Sequence, residues 1–416
     1  MKNHILSNLL SENPIVITGM GTFGAAGVSV NELWQAVKNG KSPAIRKEYT
    51  IGELSRKFAI CCAPPLDPAV DNLYPVRKMD RGLQMGWLAA NQAWRQANLA
   101  GALSPLRMGV SVGTSRGSIG NFLESFSSLE KGRILPTQAA DSTFAALTGL
   151  LAQKLKLNGP GATLSATCAS SAFAIAYAAE QILLGKADAM LTGGAEAPLH
   201  PLILYQFASA GILGEHEDVA KVCRPFDITR DGMVLGEGSG FLVLESARSA
   251  AARGAVPLAR LSGWCARLAD SGRTSINVTN PCLIDVMEEA LNLAGITPEK
   301  IGYINAHGTG TKLNDAAEAR AFADLPRNPE IRIPFGSTKA VTGHCLGTTP
   351  ALEAIICVES LRHQMIPPSA SCFQPEPVCL AGSLVQTARP SKIRHVMSNS
   401  LGFWGHHATL IFSEAS

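Results

Sequence analysis

The chain carries little charge for its length. Of its 416 residues only 17% are Asp, Glu, Lys or Arg, and the formal net charge is +3. A balance this small does not by itself imply a nucleic-acid or membrane partner, which leaves local clusters as the places to look. One basic cluster stands out, formed by Arg77, Lys78 and Arg81. Aromatic residues are sparse, at 6%. No stretch reaches the ~18 consecutive apolar residues of a membrane span. Met1 to Pro14 is too short and polar for the apolar core of a secretory signal. The ten cysteines are scattered rather than spaced as a disulfide framework, so they read as reduced thiols in a cytosolic protein. Apolar residues, by contrast, make up 46% of the chain, and there are 39 glycines. A chain with so much to bury and so little charge to show is expected to share surface with another subunit.

Strand-like apolar runs alternate with Ala-rich helical segments, which is an α/β pattern with buried strands. One series runs through Ile15 to Thr18, Met108 to Gly113, Thr163 to Ala166, Ala189 to Thr192 and Gly240 to Leu244; a second runs through Ile301 to Ala306, Ile333 to Gly336, His395 to Ser398 and Ala408 to Phe412. Each series contains a strand that ends in a small-residue turn and leads into an Ala-rich helix, near Ala169 to Leu184 and Ala351 to Arg362. The pattern predicts two similar halves, residues 1–252 and 253–416, meeting around Ala247 to Val256. No low-complexity linker separates them, so they are expected to pack as one body.

Two motifs have competing readings. Gly19, Gly21 and Gly24 form G-x-G-x-x-G after a strand, but no acidic residue follows at the end of a second strand, so a tight structural turn is the expected reading and a dinucleotide site the alternative. Gly113 to Gly117 reads GTSRG, the pattern of a serine-hydrolase nucleophile elbow with Ser115 as nucleophile, although no acid and His follow in an order that marks triad partners.

A third motif, SATCASSAFAIAYAAEQILLG, places Cys168 at the mouth of a helix. Converging N–H groups and the helix dipole there are expected to lower the thiol pKa, as a nucleophile requires. Two histidines join it: His307 at a strand end in YINAHGTGTKLND, and His344 in PFGSTKAVTGHCLG. A poised cysteine with two such imidazoles is a nucleophile-plus-polariser constellation.

These stretches, with VITGMG, KMDR, TGGAEA, RPFDITRDGMVLGEGSG and NSLGFWG, give the chain an end-to-end resemblance to the β-ketoacyl-acyl carrier protein synthases of the thiolase superfamily, in their elongating Cys-His-His branch. The resemblance implies a five-layered αβαβα fold of two similar halves. It also implies that Cys168 accepts an acyl group from an acyl carrier protein, that His307 and His344 polarise a malonyl thioester for decarboxylation, and that the Cys168 and Phe403 N–H groups hold the oxyanion of the condensation. Lys339 is expected beside the site with Glu318 as its counter-charge; Thr309, Thr311 and Thr279 against the pantetheine arm; and Arg77 and Lys78 against the carrier protein. No metal or redox cofactor is implied, because decarboxylation drives the step.

The chain departs from the family pattern in three places, one of them a segment from Pro281 into the helix near Met287 that is shorter than usual. The usual Gly-Phe-Gly-Gly-Thr-Asn run is Gly402, Phe403, Trp404, Gly405, His406 and His407, which implies a stiffer loop, and the two adjacent histidines are expected on opposite faces of a strand. Arg116 falls where elongating relatives carry an apolar or small residue at the far end of the acyl pocket. These departures lean toward type II polyketide or polyene synthesis, with fatty acid elongation as the alternative and a homodimer or a heterodimer with a chain-length factor as the assembly. The missing second cysteine argues against a degradative thiolase and His344 against an initiating synthase; a non-catalytic chain-length partner, against which Cys168 argues, and a serine hydrolase using Ser115 are the distant alternatives.

Overall fold

The computed structural model describes residues 4–66, 76, 78–133, 136–270, 272, 282–381 and 383–415. Ten strands line up in two sets of five. The first set comprises β1 (Ile15–Gly24), β2 (Met108–Gly113), β3 (Gly161–Leu164), β4 (Ala189–Glu196) and β5 (Gly238–Ser246); the second comprises β6 (Ala259–Leu268), β7 (Tyr303–Asn305), β8 (Phe335–Gly336), β9 (His395–Gly402) and β10 (His406–Ser413). Their spatial orders are β3-β2-β4-β5-β1 and β8-β7-β9-β10-β6. In both sets the first three strands are parallel and the last two join antiparallel. The sets meet where Ile15 to Ile17 pair with Ala259 to Leu261. The internal repeat expected from the sequence is therefore present, with β6 completing the second set beyond the four strands expected there.

The helices supply the other layers. Helix α1 (Arg81–Ala97) packs on β1, β5 and β4, while α2 (Ile119–Glu130) lies beyond the sheet with none of its residues buried. Helices α3 (Ser170–Leu183) and α6 (Thr349–His363) touch each other and lie between the two sheets; α4 (Cys282–Ala294) covers the far sheet, and α5 (Lys312–Asp324) follows β7. Every residue of α6 from Thr349 to Leu361 is buried. A helix with no polar face has to be an inside helix, and its Ala, Ser and Thr positions let it lie close to both sheets. The stack is helix, sheet, helix pair, sheet, helix. Among the described residues no helix is long and apolar enough to cross a membrane.

The glycine-rich run is not a turn. Gly19 and Gly21 lie inside β1, and a β-carbon on either would stand 2.1 Å from a carbonyl oxygen of α1, Ala93 O or Ala89 O. Their role is close helix-on-strand packing, which leaves no phosphate-binding loop.

Candidate active site

The two halves place matching turns at the centre. Cys168 lies on a short 3-10 turn, Thr167–Ala169, that feeds α3; Leu346–Thr348 forms the same turn ahead of α6. The first residue of each is left-handed, with φ +48° at Thr167 and +47° at Leu346. Non-glycine residues hold that conformation only when their surroundings enforce it. At Thr167 the enforcement is visible: the Ser170 hydroxyl donates to the Thr167 carbonyl (2.6 Å) and accepts from the Ala166 N–H (2.9 Å), while the Thr167 hydroxyl donates to the Phe403 carbonyl (3.3 Å). Gly402 passes so close that a β-carbon there would lie 2.1 Å from Thr167 Oγ1.

His307 follows β7. Its main-chain N–H donates to Glu318 Oε1 (2.7 Å), and the next N–H, of Gly308, donates to Glu318 Oε2 (2.6 Å). Its carbonyl accepts from the Lys339 ammonium. His344 is held from the other half of the molecule: its N–H donates to the Val234 carbonyl (2.8 Å), and the Gly236 N–H donates to its own carbonyl (3.0 Å). The two imidazoles stand nearly perpendicular with centroids 5.5 Å apart.

Cys168, His307 and His344 line one cavity of about 390 Å³, together with Thr309, Thr311, Met233, Asn314, Leu401 and Phe403. The sulfur and both rings are more than 90% buried. Burial, reinforced by the nearby Lys339 charge, holds both imidazoles well below the usual histidine range, so both are neutral. His344 Nδ1 lies 3.1 Å from the Thr349 hydroxyl, whereas His344 Nε2 and His307 Nδ1 are buried without a hydrogen-bond partner.

Two expectations are corrected. The helix mouth predicts a lowered thiol pKa, but burial overrides it and pushes the Cys168 thiol up to about 12, against the opposing pull of Lys339, Arg116 and the residue's own N–H. Lys339 does not pair with Glu318; its ammonium lies 2.5 Å from Glu353 Oε1, on α6. Both oxygens of Glu318 already accept from the His307 and Gly308 main chain, and the Asn314 amide adds a third bond (2.9 Å). Burial pushes Glu318 up to about 8 and Glu353 to about 7.

Of the remaining expected residues, Thr309 and Thr311 line the cavity with hydroxyls 2.9 Å apart, and Phe403 lies on its wall. Arg116 is outside the cavity lining, with its guanidinium 6.0 Å from the Phe207 ring. Lys78 is exposed, whereas Arg81 is committed to Glu237 through contacts at 2.7 and 2.9 Å. Arg77 and Thr279 lie outside the described residues. Ser115 is no hydrolase nucleophile: its hydroxyl donates to the Glu196 carboxylate (2.9 Å), not to an imidazole. His406 sets its ring against Phe173 of α3 (5.8 Å). Its neighbour His407 is buried with neither ring nitrogen partnered, as alternation along β10 requires of opposite faces. Glu353 is the residue that sequence reasoning missed; an acid one turn into a largely apolar helix, shared only with Glu359, was the signal available.

The family models for the N-terminal and C-terminal domains of beta-ketoacyl synthase match residues 12–250 and 258–373. The chain belongs to the beta-ketoacyl synthase family, a family of acyltransferases. A 3-oxoacyl-[acyl-carrier-protein] synthase 2 of Staphylococcus aureus (strain COL) is 34% identical over 427 residues, covering 97% of this chain and 99% of the relative. Two solved structures are similar. One is a type II PKS acyl-carrier protein in complex with its ketosynthase bound to the hexaketide (TM-score 0.87, 28% identity, 97% of this chain and 100% of that one). The other is the ishigamide ketosynthase/chain length factor (TM-score 0.86, 29% identity, 97% and 100%).

Proposed function

We propose that the chain catalyses decarboxylative condensation of an acyl group, held as a thioester on Cys168, with a malonyl thioester on an acyl carrier protein. The convergence of Cys168, His307 and His344 on one buried cavity carries this reading. In the first step the Cys168 sulfur attacks the acyl-carrier thioester and the pantetheine thiol leaves with the proton, an exchange between like partners that needs little driving force. In the second, His307 and His344 donate hydrogen bonds to the malonyl thioester oxygen as carbon dioxide departs and the enolate forms. Two neutral rings suit this, because each carries one N–H; a Thr349 hydroxyl that donates to His344 Nδ1 leaves the proton on Nε2. The enolate carbon then attacks the Cys168 acyl carbonyl, the Cys168 and Phe403 N–H groups stabilise the oxyanion, and the sulfur leaves as thiolate and takes up a proton from water to restore the thiol. The atoms balance without a metal or redox cofactor.

The same reading places the pantetheine arm along Thr309 and Thr311 and the acidic carrier at Lys78, with Arg77 and Thr279 as further contacts. The N-terminal half, 1–252, supplies the nucleophile and 253–416 the two histidines. A homologous subunit, either a second copy or a chain-length factor, covers the exposed stripe of Phe122, Phe126 and Leu129 on α2; large apolar groups spaced along an unburied helix mark an association surface. The pathway is type II polyketide or polyene synthesis in the cytosol, supported by the likeness to ketosynthases of such systems and by Arg116. Fatty acid elongation is the second reading, favoured by the Staphylococcus aureus relative. Intact-mass measurement after incubation with acyl-carrier thioester tests the chemistry: acylation at Cys168, followed by release of β-ketoacyl carrier when malonyl carrier is added, supports it, and acylation elsewhere overturns it.

A further inference from the structure

A second hollow, of about 600 Å³, opens where β7 and β9 begin. Lys300, Lys392, Arg394 and His395 line it, and Glu299 is the one acid in its lining among the described residues. The two strands are parallel neighbours, and the Gly302 N–H donates to the His395 carbonyl (2.9 Å). Lys300 precedes one strand and Lys392 and Arg394 the other, so two adjacent segments of chain bring their basic groups to one place. His307 and Phe403 follow the far ends of the same strands. The eight residues of β9, at ~3.3 Å each, put about 20 Å between this hollow and the catalytic cavity.

The acids nearby are already occupied. The Glu299 carboxylate accepts from its own N–H, from the Thr297 hydroxyl and from the Arg327 and Asn328 N–H groups, which hold its pKa below the usual range. Glu414, the acid whose charge reaches His395, accepts from the Gln364 amide (3.0 Å). Lys300, Lys392 and Arg394 are exposed and form no ion pair among the described residues. The carbonyl end of α4 does not answer them either, because the Leu291 and Asn292 carbonyls accept from the Ile296 and Gly295 N–H groups (3.2 and 3.3 Å).

A buried relay orients the fourth group. The Ser262 hydroxyl donates to Ser413 Oγ (2.6 Å), which leaves the Ser413 proton for His395 Nδ1 (2.7 Å). Ser413 is 1% exposed. With Nδ1 accepting, the imidazole carries its proton on Nε2, the nitrogen that the relay does not use.

Two ammonium groups, a guanidinium and an imidazole N–H around one hollow fit a phosphate group. The guanidinium matches two of its oxygens as a fork, and the ammonium groups answer its second charge. The volume is that of a small-molecule site and exceeds what a bare ion fills, and Ile296 adds an apolar wall.

We propose that the hollow bounded by Lys300, Lys392, Arg394 and His395 binds a small organic phosphate ester, apart from the acyl and malonyl groups.

Isothermal titration with adenosine 5′-diphosphate, inorganic pyrophosphate and adenosine tests this. The diphosphate ester should bind saturably, one per chain, and more tightly than pyrophosphate, while adenosine should not bind. Lys392→Gln with Arg394→Gln should weaken the ester by about tenfold or more, as should Lys300→Gln on the other segment if the first variant fails to fold. No saturable binding, or an affinity unchanged in these variants, overturns the site; tighter binding of pyrophosphate overturns the ester. Acylation of Cys168 by acyl-carrier thioester should be the same in native and variant chains. A fall in acylation would mean that these cations receive the carrier protein, which also overturns the proposal.

Discussion

Lys339 and Glu353 form an ion pair at 2.5 Å with neither side chain exposed to solvent, and the same ammonium donates to the carbonyl of His307. The pair thus ties α6 to the strand end that presents an imidazole. Removing one partner of a buried pair leaves a charge stranded and costs about 3–5 kcal/mol. Lys339→Met and Glu353→Gln should each lower the denaturation midpoint. The double variant should recover part of that loss but no condensing activity, because the His307 carbonyl stays without its donor. Recovery of activity with stability would show that the pair is only structural.

The imidazoles and the sulfur should separate kinetically. His307→Ala and His344→Ala are expected to leave acylation of Cys168 within a few-fold of native while cutting carbon dioxide release from malonyl carrier by about 10²–10³-fold, the usual effect of losing one donor to a developing oxyanion. Loss of acylation in step with decarboxylation contradicts the division of labour proposed above.

A thiol held near 12 has little thiolate at neutral pH. Alkylation of Cys168 by iodoacetamide, followed by peptide mass, should therefore accelerate about tenfold per pH unit from pH 7 to pH 10, since the thiolate is the reacting form. A plateau near pH 7 would mean that the helix mouth wins over burial after all.

His407 sets a pH limit on stability. Burial lowers its pKa from 6.5 to about 4. Between those values the unfolded chain takes up a proton that the folded chain refuses, so the folded state is fully favoured above pH 6.5 and loses ground as pH falls toward 4, by roughly 3 kcal/mol from this ring alone. Urea denaturation of His407→Leu across that window should show a shallower pH slope than native; an identical slope would place the titrating group elsewhere.

Phe122→Glu with Phe126→Glu puts two charges on the exposed α2 stripe. Sedimentation should show dissociation to a single chain if α2 is covered by a homologous subunit, and no change in mass if it is not.

The sequence carried the chemistry further than the architecture. Met108 to Gly113 was legible to the residue, because a buried strand ending in glycine leaves little ambiguity. Strand β6 was not, since ARLSGWCARL breaks its alternation with Gly263 and ends in exposed residues. The sulfur and both imidazoles were readable from local motifs, each with small residues around it. Glu353 was not chosen over Glu318, because both are acids on helices near the site. Only coordinates show that one of them has spent its oxygens on main-chain N–H groups. The thiol's acidity was misjudged for a related reason: a helix mouth is visible in a motif, whereas enclosure depends on distant segments such as Met233 and Phe403.

The paired turns also differ in what they carry. Gly347 occupies, in the second half, the station that Cys168 holds in the first, on a backbone of the same unusual shape. A side chain there would run into the Ser115 N–H at 2.7 Å and the Glu196 carboxylate at 3.0 Å. The second turn is thus packed tight against the first half, part of the masonry behind the sulfur, with no room at its centre for a side chain.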